Sequence, residues 1–326
     1  MKNWVVIAGL TRNPRLKNKG NAMRQWILSL AVTSSLALAG CATPSASPDN
    51  APRIAVISAF PAELALLQSR IERPQKQSVN GVEFTTGTLQ GKRVVMFLSG
   101  VSMTNAAMNT QLVLDRFKVS HIVFSGIAGG VNPALKVGDV VVAQRWGQYL
   151  ESLAARETAP GRYQPPSHMD DIELPNFGML YPRPVGVRSA GREGVEKKFW
   201  FEADPALMEI ARRAAGVALE RCDSQRQCLS HEPRVVLGGN GVSGQAFVDN
   251  AAFREYTFKT FNANVLDMET AATAMVAYSN GIPFIAFRSL SDLAGGGEGE
   301  NEMKTFFRIA ADNSARVLLA FLAAWK

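Results

Sequence analysis

The chain has 326 residues, 47% of them hydrophobic, enough to bury a large core in one or two domains. Its formal charge of +7 rests on residues 1–40, where Lys2, Arg12, Arg15, Lys17, Lys19 and Arg24 stand without an acid; taking those six away leaves 29 basic residues against 28 acidic. A near-neutral remainder argues against a nucleic-acid partner, and the three histidines (His121, His168, His231) have no metal-ligand spacing, which argues against a zinc site.

In chain order, Met23-Arg24 opens a short basic region that runs into "WILSLAVTSSLALAG" and then Cys41. Basic start, apolar stretch and small-residue end read as a secretory signal over 1–40, with Met23 as the better start. "LAGC" at 38–41 resembles the bacterial lipoprotein box. That resemblance implies cleavage before Cys41, a lipid on its side chain and, with Ala42 following, a periplasm-facing place on the outer membrane. The other reading is an uncleaved anchor helix, for which about 15 apolar residues is short. The Pro/Ser/Ala-rich segment to residue 52 reads as a tether.

"RIAVISAF" (53–60) predicts a buried strand, and Pro61 opens a helix, "PAELALLQSRI", with Glu63 in its first turn. "FTTGTLQGKRVVMFLSG" (84–100) predicts a hairpin with a Gln-Gly turn, and 103–117 has helical spacing. "HIVFSGIAGG" (121–130) predicts a buried strand that breaks into glycines, and 135–144 a further strand. Residues 148–196 are rich in Pro, Gly and Arg with poor periodicity and read as a loop-rich insertion. Residues 197–222 return to a strand and a helix capped near Asp204-Pro205. Cys222 and Cys228 then stand six apart; export favours a disulfide between them, against two free thiols. Residues 234–250 predict a strand and a glycine-rich turn. "VLDMETAATAMVAYSN" (265–280) predicts a helix whose first turn carries Asp267 and Glu269. Strand 282–290 and a helix over 303–325 complete the chain. Alternating strands and helices predict an α/β/α sandwich around one mixed sheet, spanning 53–326.

Ligands of open α/β sheets collect beyond the carboxyl ends of the strands. Four strand ends carry unusual residues: Glu63 after the first, the glycines of "GIAGG" after the second, Phe247 after the 234 strand, and Arg288, Ser291 and Asp292 at the last. With Glu269 at a helix start that could face the same crevice, three carboxylates and an arginine around bare backbone would suit acid–base work on a hydroxylated ligand. Singly, each has a plainer account. Glu63 and Glu269 read as favourable charges in a helix first turn, Arg288 and Asp292 as an ion pair, Phe247 as core, and "GIAGG" as a turn without a dinucleotide or phosphate-loop pattern.

Five segments in order, "RIAVISAFPAELALL", "SGIAGGVNPALKVGDVVV", "SGQAFVDN", "VLDMETAATAMV" and "PFIAFRSLSDLAG", resemble the nucleoside phosphorylase/nucleosidase superfamily. The branch most similar is that of 5'-methylthioadenosine/S-adenosylhomocysteine nucleosidases, while "KKFWFEADPALMEIA" and "FVDNAAFREY" look more like plant bark storage proteins. The resemblance implies an enzyme without a cofactor, acting on a small nucleoside. It implies that Asp292 protonates N7 of the base, Glu269 binds the ribose hydroxyls, and Glu63 activates water with Arg288 beside it. Phe247 stacks on the base, Val248 offers backbone to the adenine edge, Met268 packs under the sugar, Ser291 completes the "RSLSD" motif, and Gly129 leaves room. It also implies a homo-oligomer, with a dimer favoured. Ile127 departs from the pattern, standing where many nucleosidases have a small polar residue, and the family's aromatic near the 5' group falls near Met303. Hydrolysis of an adenine-type nucleoside is the leading reading, because Glu63 stands where phosphorylases tend to place an arginine or a phosphate-binding glycine. Phosphorolysis and a non-catalytic, storage-like binding role remain as alternatives.

Overall fold

In the computed structural model, alternate residues of the first strand face opposite ways and seed two separate cores. The structure describes residues 51–169, 172–297 and 299–326; the leader 1–40, Cys41 and the tether through residue 50 lie outside them. The first half contains β1 (Arg53–Ser58), α1 (Pro61–Gln68), β2 (Glu72–Val79), β3 (Val82–Leu89), β4 (Lys92–Leu98), α2 (Met103–Arg116), β5 (Val119–Gly130), β6 (Val140–Val142) and β7 (Arg145–Gln148). The inserted region contributes β8 (Ser152–Ala154), β9 (Arg156–Ala159), β10 (Arg162–Gln164), β11 (Leu180–Pro182), β12 (Val185–Val187) and β13 (Glu196–Lys198). Then come β14 (Trp200–Glu202), α3 (Pro205–Ala214), β15 (Val235–Leu237), β16 (Asn240–Ser243), α4 (Ala251–Phe261), β17 (Ala263–Asp267), α5 (Thr270–Asn280), β18 (Phe284–Asp292) and α6 (Met303–Ala324).

On β1, Ile54 and Val56 pack with Leu64 and Leu67 of α1, Ile210 of α3 and Leu318 and Phe321 of α6. Ala55 and Ile57 pack with Ala106 and Val113 of α2 and Ala271 and Ala274 of α5. Helices thus cover both faces, the expected three-layer arrangement, and strands buried on both faces read as unbroken apolar runs. Twelve of the described strands form one mixed sheet, ordered β14-β7-β16-β17-β5-β1-β4-β3-β2 along its main path. The long β5 is its hub. It runs parallel to β1 and to β18 on its two edges, and its last two glycines pair antiparallel with β17.

Several elements differ from expectation. The 135–144 segment is a strand only at Val140–Val142. The helix expected from 265 begins at Thr270, because "ANVLD" completes a strand against β16 and β5. Asp267 ends that strand, and Glu269 is the N-cap of α5. The insertion is not bare loop: β8 pairs β11, β9 pairs β10, and β12 pairs β13. The edge strand β2 and the helix α4, whose Asn250 cap accepts from Phe253 N at 2.9 Å, were not anticipated. Cys222 and Cys228 are bridged, as expected.

Candidate active site

The carboxyl ends of β1, β5, β17 and β18 converge on a cavity of about 280 Å³, near the lower end of small-molecule clefts, about 300–1,000 Å³. Glu63, Gly129, Phe247, Val248, Met268, Glu269, Ser291 and Asp292 all line it, together with Ile127 and Met303. Five segments far apart in sequence supply these eight expected residues to one place.

Glu63 is there because Pro61 starts α1 directly after β1, so the third helical residue points back at the strand end. Its Oε2 accepts from Ala59 N at 2.6 Å and Phe60 N at 3.4 Å, and its Oε1 from Ile127 N at 2.7 Å. Burial pushes its carboxyl above the usual range in spite of Arg288 and these backbone donors. Glu269 is fixed by the turn between β17 and α5. Its Oε1 accepts from Ser102 N at 2.9 Å and its Oε2 faces Arg288 Nη2 at 3.4 Å. Ser102 has φ 98°, a conformation that favours glycine, and this turn aims its N–H at the carboxylate. Burial first, then the neighbouring Asp267 and Glu63, raise Glu269 to about 7 against the pull of Arg288. Asp292 closes β18 and is likewise raised, chiefly by burial and further by Asp249, while bonds from Ala294 N, Ser291 and Asn301 oppose the shift.

Arg288 does not lie where it was expected. It has no exposed surface and does not line the cavity. It sits behind the carboxylates and steadies them, paired with Glu63, Asp267 and Glu269. Its Nε meets Asp267 Oδ2 and Thr270 Oγ1, each at 2.8 Å, its Nη1 donates to Ile127 O at 3.0 Å, and Glu63 Oε1 lies 3.7 Å away. Its guanidinium lies over the Phe124 ring, 4.2 Å from the centroid. Phe247, 58% exposed, is a rim residue with a free face and not the core residue that its apolar character alone suggests.

Asp267 is the residue that sequence reasoning undervalued as a helix-end charge. Besides Arg288, it accepts from Ser243 Oγ, Thr270 Oγ1, and the N–H groups of Glu269 (3.2 Å) and Thr270 (3.1 Å). It therefore links Arg288 to the start of α5 and holds Glu269 in register. Its signal was the "DMET" run itself, in which the first acid precedes the helix and does not belong to it. Gly126 was also misread as open backbone for a ligand. A Cβ there would lie 2.3 Å from Arg288 Nη1 and 2.5 Å from Glu63 Oε1, so the glycine makes room for the ion pair.

Residues 53–323 match the family model described as Phosphorylase superfamily, and the chain belongs to that superfamily. Among curated relatives, the 5'-methylthioadenosine/S-adenosylhomocysteine nucleosidase of Geobacillus thermodenitrificans is 30% identical over 271 residues, covering 83% of this chain and 96% of that protein. The crystal structure of the same-named enzyme from Neisseria meningitidis, in complex with methylthio-immucillin-A, is similar with a TM-score of 0.61 at 26% identity, over 83% of this chain and 99% of that one. Futalosine hydrolase of Helicobacter pylori shares the fold, with a TM-score of 0.63 at 22% identity over 83% of this chain and 97% of its own. The resemblance read from the five motifs is borne out for the superfamily and its nucleosidase branch.

Proposed function

We propose that the chain hydrolyses the N-glycosidic bond of an adenine-type nucleoside. One observation carries this reading: among the described residues, the cavity wall bears Glu63, Asp267, Glu269 and Asp292 and no lysine or arginine, while Arg288 behind it is already engaged by three carboxylates. Inorganic phosphate needs free cations or a backbone cradle, and such a wall repels it. Water suits it.

In the proposed reaction Asp292 gives its proton to N7 of the base. The base then leaves as a neutral molecule with the electrons of the C1'–N9 bond, a form of acid assistance worth roughly 10²–10⁴ in rate. Glu269 accepts hydrogen bonds from the 2'- and 3'-hydroxyls, and its charge favours the electron-poor sugar. Water adds at C1' as Glu63 takes its proton, giving free base and ribose moiety. The raised carboxyl of Asp292 suits a group that must hold a proton before giving it away. The names of the nucleosidase relatives support adenine as the base, and the apolar Phe60, Val101, Ile127 and Met303 suit an apolar 5' substituent.

The test is release of adenine from methylthioadenosine by the purified domain, with and without phosphate. Phosphate-independent release is expected, nearly abolished in Asp292→Asn. Strict phosphate dependence would instead favour a phosphorylase, and binding without turnover a storage-like role.

The same proposal includes export and lipidation at Cys41, supported by the leader's pattern and by the Cys222–Cys228 bridge, which fits an oxidising compartment. Mass spectrometry of the mature N-terminus should find the lipid; an unmodified Cys41 would count against it. A homodimer through the apolar face of α2 from Met108 onward is supported by Met108, apolar yet 57% exposed.

A further inference from the structure

Asp292 is gripped unevenly. Its Oδ1 accepts from Ala294 N at 2.8 Å and from Asn301 Nδ2 at 3.3 Å, whereas among the described residues its Oδ2 accepts only from Ser291 Oγ, at 2.9 Å. Asn301 stands two residues ahead of α6, and the orientation of its amide is decided by that helix. Its Oδ1 accepts from Met303 N at 2.9 Å, so Nδ2 is the atom turned toward the carboxylates. That same Nδ2 reaches Asp249 Oδ1 at 3.2 Å, on the segment leading into α4. An amide nitrogen has two hydrogens, and here each has a carboxylate to meet.

We propose that Asn301 is the positioning residue of the general acid: the Asp249–Asn301–Asp292 clasp fixes the plane of the Asp292 carboxyl and directs its transferable proton to Oδ2. The role as acid rests on the nucleosidase reading; the clasp itself does not. A carboxyl oxygen has two in-plane lone pairs. Both of those on Oδ1 face N–H donors, so a proton placed there would collide with one of them. Oδ2 is free to carry it, because the Ser291 hydroxyl has a second acceptor in Ala128 O at 3.4 Å. Without Asn301 the two oxygens become nearly equivalent, and the carboxyl can present the wrong one to the base.

Among the described residues, charged groups reach Asp292 from several elements, and Glu300 and Glu302 flank Asn301 in its own segment. Asp249 faces it through Asn301, Arg254 of α4 is tied to Gly130 O at 3.0 Å, and Glu63 and Glu269 stand elsewhere on the cavity wall. Removing the amide donor withdraws support from the ionised form, and an acid in its place adds repulsion, so both changes move Asp292 toward the protonated side.

Two variants test this while keeping a side-chain oxygen that can accept from Met303 N in the turn ahead of α6, as both serine and aspartate can: Asn301→Ser loses the reach, and Asn301→Asp also adds charge. Two readouts are taken on the full chain. The first is the titration of the Asp292 13Cγ resonance, identified by its loss in Asp292→Asn. The second is kcat and KM for adenine release from methylthioadenosine. The proposal expects the Asp292 midpoint to move upward, more in Asn301→Asp than in Asn301→Ser. It expects kcat to fall about tenfold or more in Asn301→Asp while KM stays within about twofold, the pattern of a lost transition-state interaction. An Asp292 resonance that titrates identically in the wild type and both variants would overturn the clasp. A shifted resonance in a protein that never releases adenine would uphold the clasp and sink the nucleosidase reading instead.

Discussion

Arg288 organises the site without touching the cavity. A buried guanidinium among three carboxylates is stable only because each partner is also held by other bonds, and removing one side of such a pair costs about 3–5 kcal/mol. Gly126 offers a clean way to break it. Gly126→Ala would drive a methyl group into Arg288 and Glu63, so the unfolding free energy measured by urea titration should fall by an amount of that size; a wild-type value would mean that the pair has room to spare. The acids also set a pH dependence. In the folded chain Glu269 titrates at about 7, well above its ordinary 4.5. The folded state thus binds this proton more tightly than the unfolded chain. Its contribution to stability is complete below about 4.5 and is lost as pH rises through about 7. Glu63 and Asp292, raised in the same direction, add to the trend. The melting temperature of the ligand-free protein should therefore fall between about pH 5 and 8, and less steeply in Glu269→Gln. A flat or rising profile in the wild type would contradict the description of these carboxyls. Of this cluster, Glu63, Glu269 and Asp292 were legible in the sequence because acids at strand ends stand out against apolar runs. The burial of Arg288 and the reach of Asn301 were not legible, since both depend on side chains from other strands closing around them.

At the scale of elements, the buried strands were the easiest to read. β1, β5 and β18 are covered on both faces and show as continuous apolar segments. β2 was invisible for the opposite reason. "ERPQKQSV" has no apolar alternation and is exposed along nearly all its length, so only its ladder to β3 makes it a strand. α4 carries its Asn250 cap openly, but Phe253, Tyr256 and Phe258 are only partly buried and give a broken stripe. The start of α5 was misplaced because "VLD" and the helix behind it are both apolar, and only pairing with β16 divides them. The bridge between Cys222 and Cys228 closes a short loop that contributes no residue to the cavity lining. Loop closure of this kind stabilises by about 2 kcal/mol, so reductant should lower the melting temperature by a few degrees and leave kcat for adenine release unchanged. An unaltered melting temperature would remove the bridge from the account.

For the whole molecule, the carboxyl ends of four strands supply the site, and the rule that ligands gather there located it before any coordinate did. Order along the chain was enough to predict a three-layer fold, because alternating strands and helices permit few others. The chemistry followed less directly. Sequence could place the acids at strand ends, but it could not reveal that Arg288 is spent on them, and that fact separates a water-using site from a phosphate-using one. The most direct test runs the reaction on methylthioadenosine in 18O-labelled water with excess phosphate, followed by mass spectrometry of the sugar product. The account predicts a free sugar carrying one 18O atom from the solvent. A sugar 1-phosphate without the label would contradict it.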